Sequence, residues 1–332
     1  MRMDSAVSPG PTSAAEAGKP APHASIAGLG MAVPERVIKN APIAEHLGVD
    51  ADWISTRTGI VERHHASDDE TLEDLAAAAG RAALERAGIG AEDLDQVLVA
   101  TFTASRVLPN AAPVVAAALG TRRPGAVDVG AACTGWLSGL AFAAAQVEAG
   151  RAEAVLVIGA DLCSRPLDHD DRRTAGLFGD GAGAVVVTAG GPGRVGRILL
   201  RSEGSEGESI TAERKGLIEM RGQDTFRSAV EHLCESTLEL LAVEELAIED
   251  IDVYAYHQAN SRIISAVGKK LGLPTERVID CIEGYGNTSA ASIPIALCEA
   301  ERSGLLRPGA RVLVSAIGAG LAWGSGIIEW GI

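Results

Sequence analysis

Three residues far apart in the chain carry side chains suited to nucleophilic chemistry, provided the fold brings them together. Cys133 lies in AVDVGAACTGWLSGLAFAAAQVEAG, where Val127 to Val129 predict a strand end, Gly130 to Ala132 a tight turn, and Thr134 onward an apolar helix closing at Gly150. A cysteine there sits on a helix N-terminus, beside free N–H groups and the positive end of the dipole, and both favour thiolate over thiol. The same residue type is equally at home as a small buried core side chain. His257 ends the run IDVYAY and precedes a predicted helix, as either a hydrogen-bonded core histidine or a donor to a reacting oxygen. Asn287 stands in EGYGNTSAASIPIAL, a Gly-rich loop opening onto a helix, where Asn commonly caps or turns the chain. The remaining histidines show no metal-ligand spacing, and no G-x-x-x-x-G-K-[ST] phosphate loop is present.

The elements that must position these residues repeat. An Ala-rich helical segment from Leu75 leads into AGIGAEDLDQVLVA, and a second helix from about Val230 leads into LAIEDIDVYAY. Asp95 and Asp252 match at a separation of 157 residues (252 − 95), and VLVIGA at Val155 and VLVSAIGA at Val312 match at the same separation. Each half closes with a Gly-rich turn and an apolar strand, GDGAGAVVV and WGSGIIEW, with an extra loop from about Leu162 to Leu177 in the first half. Helical segments alternate with short Val/Ile-rich runs that have the composition of fully buried strands. The expected class is therefore α/β, with parallel or mixed sheets covered by helices on both faces. Two such halves, 24–193 and 194–332, make a five-layer α/β/α/β/α body, and their unequal chemistry predicts one active site between them.

Composition narrows the function classes. Of 332 residues, 47% are hydrophobic and only 3% aromatic, so a core must come from small, closely packed side chains. A net charge of -15 argues against nucleic acid as a partner and requires a local basic patch for any acidic one. Five cysteines (Cys133, Cys163, Cys234, Cys281, Cys298) without a C-x-x-C pair fit a reducing cytoplasm. No apolar run reaches membrane-span length, no signal-peptide h-region is present, and residues 1–23 have the Ala/Pro/Ser/Gly composition of a disordered tail.

Taken together, the order Cys133, His257, Asn287, with FGDGAGA at Phe178–Ala184, AWGSG at Ala322–Gly326, DWISTRTGIVERH from Asp52 and HQANSRII from His257, resembles β-ketoacyl-ACP synthase III over nearly the whole chain after the tail. The resemblance implies a homodimeric thiolase-like fold that works in two half-reactions without a cofactor. Cys133 takes an acyl group from acyl-CoA. Malonyl-ACP then loses CO2, and its carbanion attacks the acyl-cysteine to start a fatty acid or polyketide chain.

By the same resemblance, His257 and Asn287 stabilise the malonyl enolate, and the turn Gly318-Ala319-Gly320 supplies an oxyanion N–H. Trp53 and Arg172, with Arg57 nearby, surround the CoA adenine. Leu108 of the partner subunit, Trp136 and Leu321 bound the acyl pocket, and Arg262, Lys269 and Lys270 receive the carrier protein. Three features depart from the family pattern: Gly318-Ala319-Gly320-Leu321 where three glycines and Phe are common, a short Glu206–Phe226 connection, and Leu108 in place of an aromatic. A related enzyme that transfers the acyl group to an alcohol, amine or carrier thiol without condensation is the alternative. An intact Asn287 argues against it, because simple transfer needs no enolate stabiliser.

Overall fold

A computed structural model describes residues 22–332. The expected tail lies, as far as residue 21, outside the described residues. The first half builds a five-stranded sheet in the order Ala24–Ala32, Asp180–Ala189, Ala154–Leu162, Gln96–Ala100, Gly125–Val129. The last three strands run parallel to one another, and the first two are antiparallel additions. The second half builds a four-stranded sheet in the order Val253–Tyr256, Arg311–Gly318, Ala322–Glu329, Arg194–Ser202, with the same sense at each matching pair. Where the first sheet has Gly125–Val129 at its edge, the second keeps one parallel bridge, between Tyr254 and Val278.

The 157-residue offset is a physical repeat. It carries the strand start Gln96 to Val253, Ala154 to Arg311, and the helix start Gly135 to Ser292. It also carries one device: Asp95 Oδ2 accepts the Glu153 and Ala154 N–H groups, and Asp252 Oδ2 accepts that of Arg311. In each half this carboxylate, just ahead of one strand, satisfies donors at the start of its neighbour and so pins the parallel register.

Helices Gly135–Glu148 and Ser292–Arg302 lie between the sheets in one buried cluster that includes Leu137, Leu140, Val157, Ile293 and Val314. Outer helices Leu72–Ala87 and Ala111–Leu119 cover the first sheet, and Gly222–Val243 and Ser261–Leu271 the second. The low aromatic content is met by close backbone approach. A Cβ built on Gly28 would stand 2.1 Å from the carbonyl oxygen of Ala83, so the strand Ala24–Ala32 and the helix Leu72–Ala87 meet almost backbone to backbone. Strand Ala154–Leu162 is buried at all nine positions, as expected of a central strand covered on both faces. Among the described residues no helix is long and apolar enough to cross a membrane.

Candidate active site

Cys133 sits in one tight helical turn, Ala132–Thr134, between strand Gly125–Val129 and helix Gly135–Glu148. Ala132 is held at φ +44°, a left-handed conformation unusual for a residue with a Cβ. The second half repeats this device at the same offset: Ser289 has φ +51° in the turn Ser289–Ala291, ahead of helix Ser292–Arg302. The position equivalent to Cys133 is Ala290, so only one of the two turns carries a nucleophile. Gly318 closes over Cys133. A Cβ there would lie 2.9 Å from the Cys133 backbone nitrogen, and only glycine permits that approach.

The thiol is open to a cavity of about 640 Å³, also lined by His257, Asn287, Gly318, Ala319 and Leu321. The helix N-terminus favours the Cys133 thiolate, and the surroundings of the sulfur act against it. Burial and the nearby Asp161 carboxylate push the thiol up to about 11, against a hydrogen bond from Ser289. The desolvation of a sulfur anion here opposes the stabilisation expected from the helix N-terminus.

His257 follows strand Val253–Tyr256, and its backbone N–H bonds the Ser315 carbonyl of the neighbouring strand. Its ring is buried, which lowers its pKa to about 4 and keeps it neutral near pH 7. Ser292 Oγ lies 2.5 Å from Nδ1 and also accepts the Gln258 N–H. With that amide accepted, the hydroxyl proton can be given to Nδ1, and in that arrangement the ring proton sits on Nε2.

Asn287 is held by backbone bonds to Leu177 and Gly179, and its Oδ1 accepts the Ser289 N–H at 2.9 Å. An oxygen must occupy that position, which leaves the amide NH2 available to the cavity. Thus Asn287 both caps its turn and presents a donor. Two neutral donors and a thiol meet in one enclosed site, suited to stabilising a developing oxyanion.

At the mouth, Arg57 stacks on Trp53 with its guanidinium carbon 4.4 Å from the ring centroid, and Arg172 binds the Leu47 carbonyl through Nε. All three line the cavity. The short Glu206–Phe226 connection forms the hairpin Ile210–Ala212/Ile218–Met220, which walls it. Leu321 is buried and lines this cavity.

Trp136 does not line it and is a correction: it is 1% exposed and belongs to the buried apolar cluster between the sheets, where a large ring gains most from removal from water. Leu108 is 79% exposed and lines no part of its own chain's cavity. Arg262, Lys269 and Lys270 are exposed on helix Ser261–Leu271, with Arg262 over the Phe226 ring.

Several residues of the site had been overlooked. Phe102 and Arg173 line the cavity, and Asp161 and Ser289 lie behind Cys133. For Asp161 a signal existed: a carboxylate inside the apolar run VLVIGADL must be satisfied by something. The signature residue Arg63 has a structural role, fully buried with its guanidinium bonded to the Ile38 and Gly176 carbonyls and to Asn40 Oδ1.

A duplicated five-layer body with one Cys/His/Asn cluster between its halves defines a thiolase-like condensing-enzyme architecture. The family model described as 3-oxoacyl-[acyl-carrier-protein (ACP)] synthase III matches residues 127–204, and the model of its C-terminal part matches residues 241–330. The chain belongs to this family. It is 44% identical over 311 residues to a β-ketoacyl-[acyl-carrier-protein] synthase III of Streptomyces coelicolor, covering 92% of this chain and 94% of that protein. Its fold matches the crystal structure of 3-oxoacyl-[acyl-carrier-protein] synthase III from Aquifex aeolicus with a TM-score of 0.90 at 39% identity, over 92% of this chain and all of that one. The priming β-ketosynthase of a polyketide biosynthetic pathway matches with a TM-score of 0.90 at 33% identity, over 95% of this chain and 99% of its own.

Proposed function

We propose that this protein is a β-ketoacyl-ACP synthase III that loads an acyl group from acyl-CoA onto Cys133 and condenses it with malonyl-ACP. The observation that carries this reading is the meeting of Cys133, His257 and Asn287 in one cavity whose mouth is lined by Trp53, Arg57 and Arg172. The stacked Trp53–Arg57 pair and Arg172 offer an aromatic face and two cations to an adenine nucleotide with phosphates.

In the first half-reaction the Cys133 sulfur attacks the thioester carbon, with the Cys133 N–H and a donor of the turn Gly318-Ala319-Gly320 serving the oxyanion. In the second, malonyl-ACP loses CO2, and His257 Nε2–H and the Asn287 amide hold the enolate oxygen. Neutral donors suit this step, because a cationic histidine would bind the malonyl carboxylate and stabilise the ground state instead. The reaction asks for no cofactor or metal. Its setting is cytoplasmic, with acyl-CoA and carrier protein as partners. Mass analysis of the Cys133 peptide across an acyl-CoA panel, followed by CO2 release from malonyl-ACP, tests both halves. Acyl transfer to an alcohol or amine without CO2 release would sink the condensation step.

A homodimer completes the acyl pocket in this reading. Val127 on the edge strand Gly125–Val129, Phe142 on the following helix, and Val107 with Leu108 are all more than half exposed. Asp128 of that strand ties down the helix after Leu108 by accepting the Ala111 and Ala112 N–H groups. Leucine at 108 leaves more room than an aromatic ring. Each extra buried methylene is worth roughly 0.8 kcal/mol, so branched or medium-chain acyl-CoAs should load better than acetyl-CoA. Because Trp136 faces the core, Phe102 is the ring placed to fill the space. Competition between acetyl-CoA and a branched acyl-CoA checks this, and Leu108→Phe should shift preference toward acetyl by about tenfold, the equivalent of roughly 1.4 kcal/mol. A clear wild-type preference for acetyl would contradict it.

Carrier protein docks at Arg262, Lys269 and Lys270. Carrier proteins are acidic, as this chain is, so approach requires a local positive surface. Arg262→Glu with Lys269→Glu should raise KM for malonyl-ACP several-fold at low salt while leaving acyl-CoA loading unchanged. An unaltered KM would remove this helix from the docking surface.

A further inference from the structure

Only four phenylalanines occur in the chain, and three of them, Phe102, Phe178 and Phe226, line the cavity. Phe178 is packed into an apolar cluster and Phe226 lies under Arg262, whereas Phe102 is 38% exposed. Phe102 is also the ring nearest in topology to the nucleophile. It follows strand Gln96–Ala100, and Cys133 follows the parallel neighbour Gly125–Val129, with Ala100 opposite Val129. Ring and thiol therefore reach the cavity from adjacent ends of one sheet edge. The mouth residues Trp53 and Arg57 come instead from helix Ala51–Thr58, and Arg172 is tied to the chain just ahead of that helix through the Leu47 carbonyl.

The backbone that carries Phe102 is held by a single carboxylate. Asp161 is fully buried at the end of strand Ala154–Leu162. Its Oδ1 accepts four donors: the Phe102 N–H at 3.0 Å, the Thr103 N–H at 3.2 Å, and the Thr101 and Thr103 hydroxyls at 2.9 Å each. The Thr101 hydroxyl in turn accepts the Thr103 N–H, and the Thr103 hydroxyl accepts the Leu162 N–H. Oδ2 accepts the Ala290 N–H of the second half at 3.3 Å. Burying a carboxylate in an apolar strand is costly without such donors, and supplying them fixes the chain on both sides of Phe102. At the other end of the same connection, Asp128 accepts the Ala111 and Ala112 N–H groups. Between the two carboxylates, residues 105–110 are all exposed, Leu108 among them.

We infer that Phe102 is a specificity residue of the loading step, an end wall for the acyl chain on Cys133, and that Asp161 is the residue that positions it. With its backbone held, the ring can move only about its own side-chain torsions, and added methylenes against it overpack the site. Leucine at 108 leaves width, and the anchored ring denies length. Of the branched and medium-chain acyl groups admitted above, the enzyme takes the short branched ones and turns away the linear ones.

This inference rests on Cys133 being the acylated residue, and the test separates the two. Isobutyryl-CoA and octanoyl-CoA compete for the enzyme, and the two masses on the Cys133 peptide are compared. The wild type should carry the branched group in about tenfold excess or more, the scale on which a pocket discriminates by methylene groups. Phe102→Ala should shift the ratio toward octanoyl by about tenfold, Phe102→Leu by less, and Phe102→Trp in the opposite direction. The ratio is internal to each sample, so a change in overall rate does not enter it. Thr103→Val keeps the side-chain shape but removes the hydroxyl that joins Asp161 to the Leu162 N–H. It should shift the ratio several-fold in the direction of Phe102→Ala, and Thr103→Ser should restore it. A purely structural hydroxyl would lower the melting temperature of Thr103→Val and leave the ratio alone, which would overturn the positioning role. Acylation of Cys133 with one ratio across wild type, Phe102→Ala, Phe102→Leu and Phe102→Trp, or with octanoyl in excess on the wild type, overturns the end wall and leaves the nucleophile intact. No acyl group on Cys133 from any acyl-CoA overturns both.

Discussion

Cys133→Ala should gain no acyl mass from any acyl-CoA, a loss of roughly 10⁴-fold or more, the scale of removing a covalent nucleophile. The expectation is strong because no other thiol can substitute. Cys163 and Cys234 are buried with their pKa values raised by burial, and Cys281 and Cys298 are pushed up to about 12 by burial and neighbouring carboxylates. None of the four lines the cavity. The pseudo-symmetric turn offers Ala290 at the corresponding position, so the second half cannot rescue the first. The fold should tolerate the change, since Ala already stands at that position in the repeated turn. Intact-protein mass spectrometry with a thermal melt checks both points. Comparable acylation of a stable variant at another residue would overturn the assignment.

Much of this site is legible in the sequence because it rests on local signals. A strand end, a tight turn and a helix start place Cys133 on a helix N-terminus whatever the rest of the chain does. The offset between Asp95 and Asp252 is visible because each carboxylate does the same job, satisfying donors at the start of the neighbouring strand. The environment of the thiol is less legible because it is assembled from distant segments. Asp161 comes from one half and Ser289 from the other, and nothing near Cys133 announces either. The desolvation and the Asp161 charge that act on the thiol therefore could not be read from the helix N-terminus alone. The direction of Trp136 failed for another reason. In the Gly135–Glu148 helix apolar residues surround the axis, so periodicity does not say which face meets the substrate. Phe102 was missed because it follows a strand covered on both faces, where alternation gives no parity.

Asn287→Ala should separate the half-reactions that Cys133→Ala cannot. Its amide NH2 faces the cavity as a donor to the enolate oxygen formed when malonyl-ACP loses CO2, a charge absent during acyl loading. Removing one such donor typically costs about 10²–10³ in rate. Malonyl-ACP decarboxylation should fall by that amount while acyl-CoA loading stays within a few-fold of wild type. The substitution also orphans the Ser289 N–H that Oδ1 accepts, at a cost of about 1–3 kcal/mol in stability. Asn287→Asp distinguishes the two effects. It restores an acceptor for Ser289 but sets a carboxylate where the donor belongs, so it should melt higher than Asn287→Ala yet decarboxylate no faster. If Asn287→Asp instead recovers decarboxylation, the residue matters for its turn and not for its amide, and the enolate must be held elsewhere. Radiolabelled CO2 release, measured on enzyme already carrying its acyl group, gives the answer without interference from the loading step.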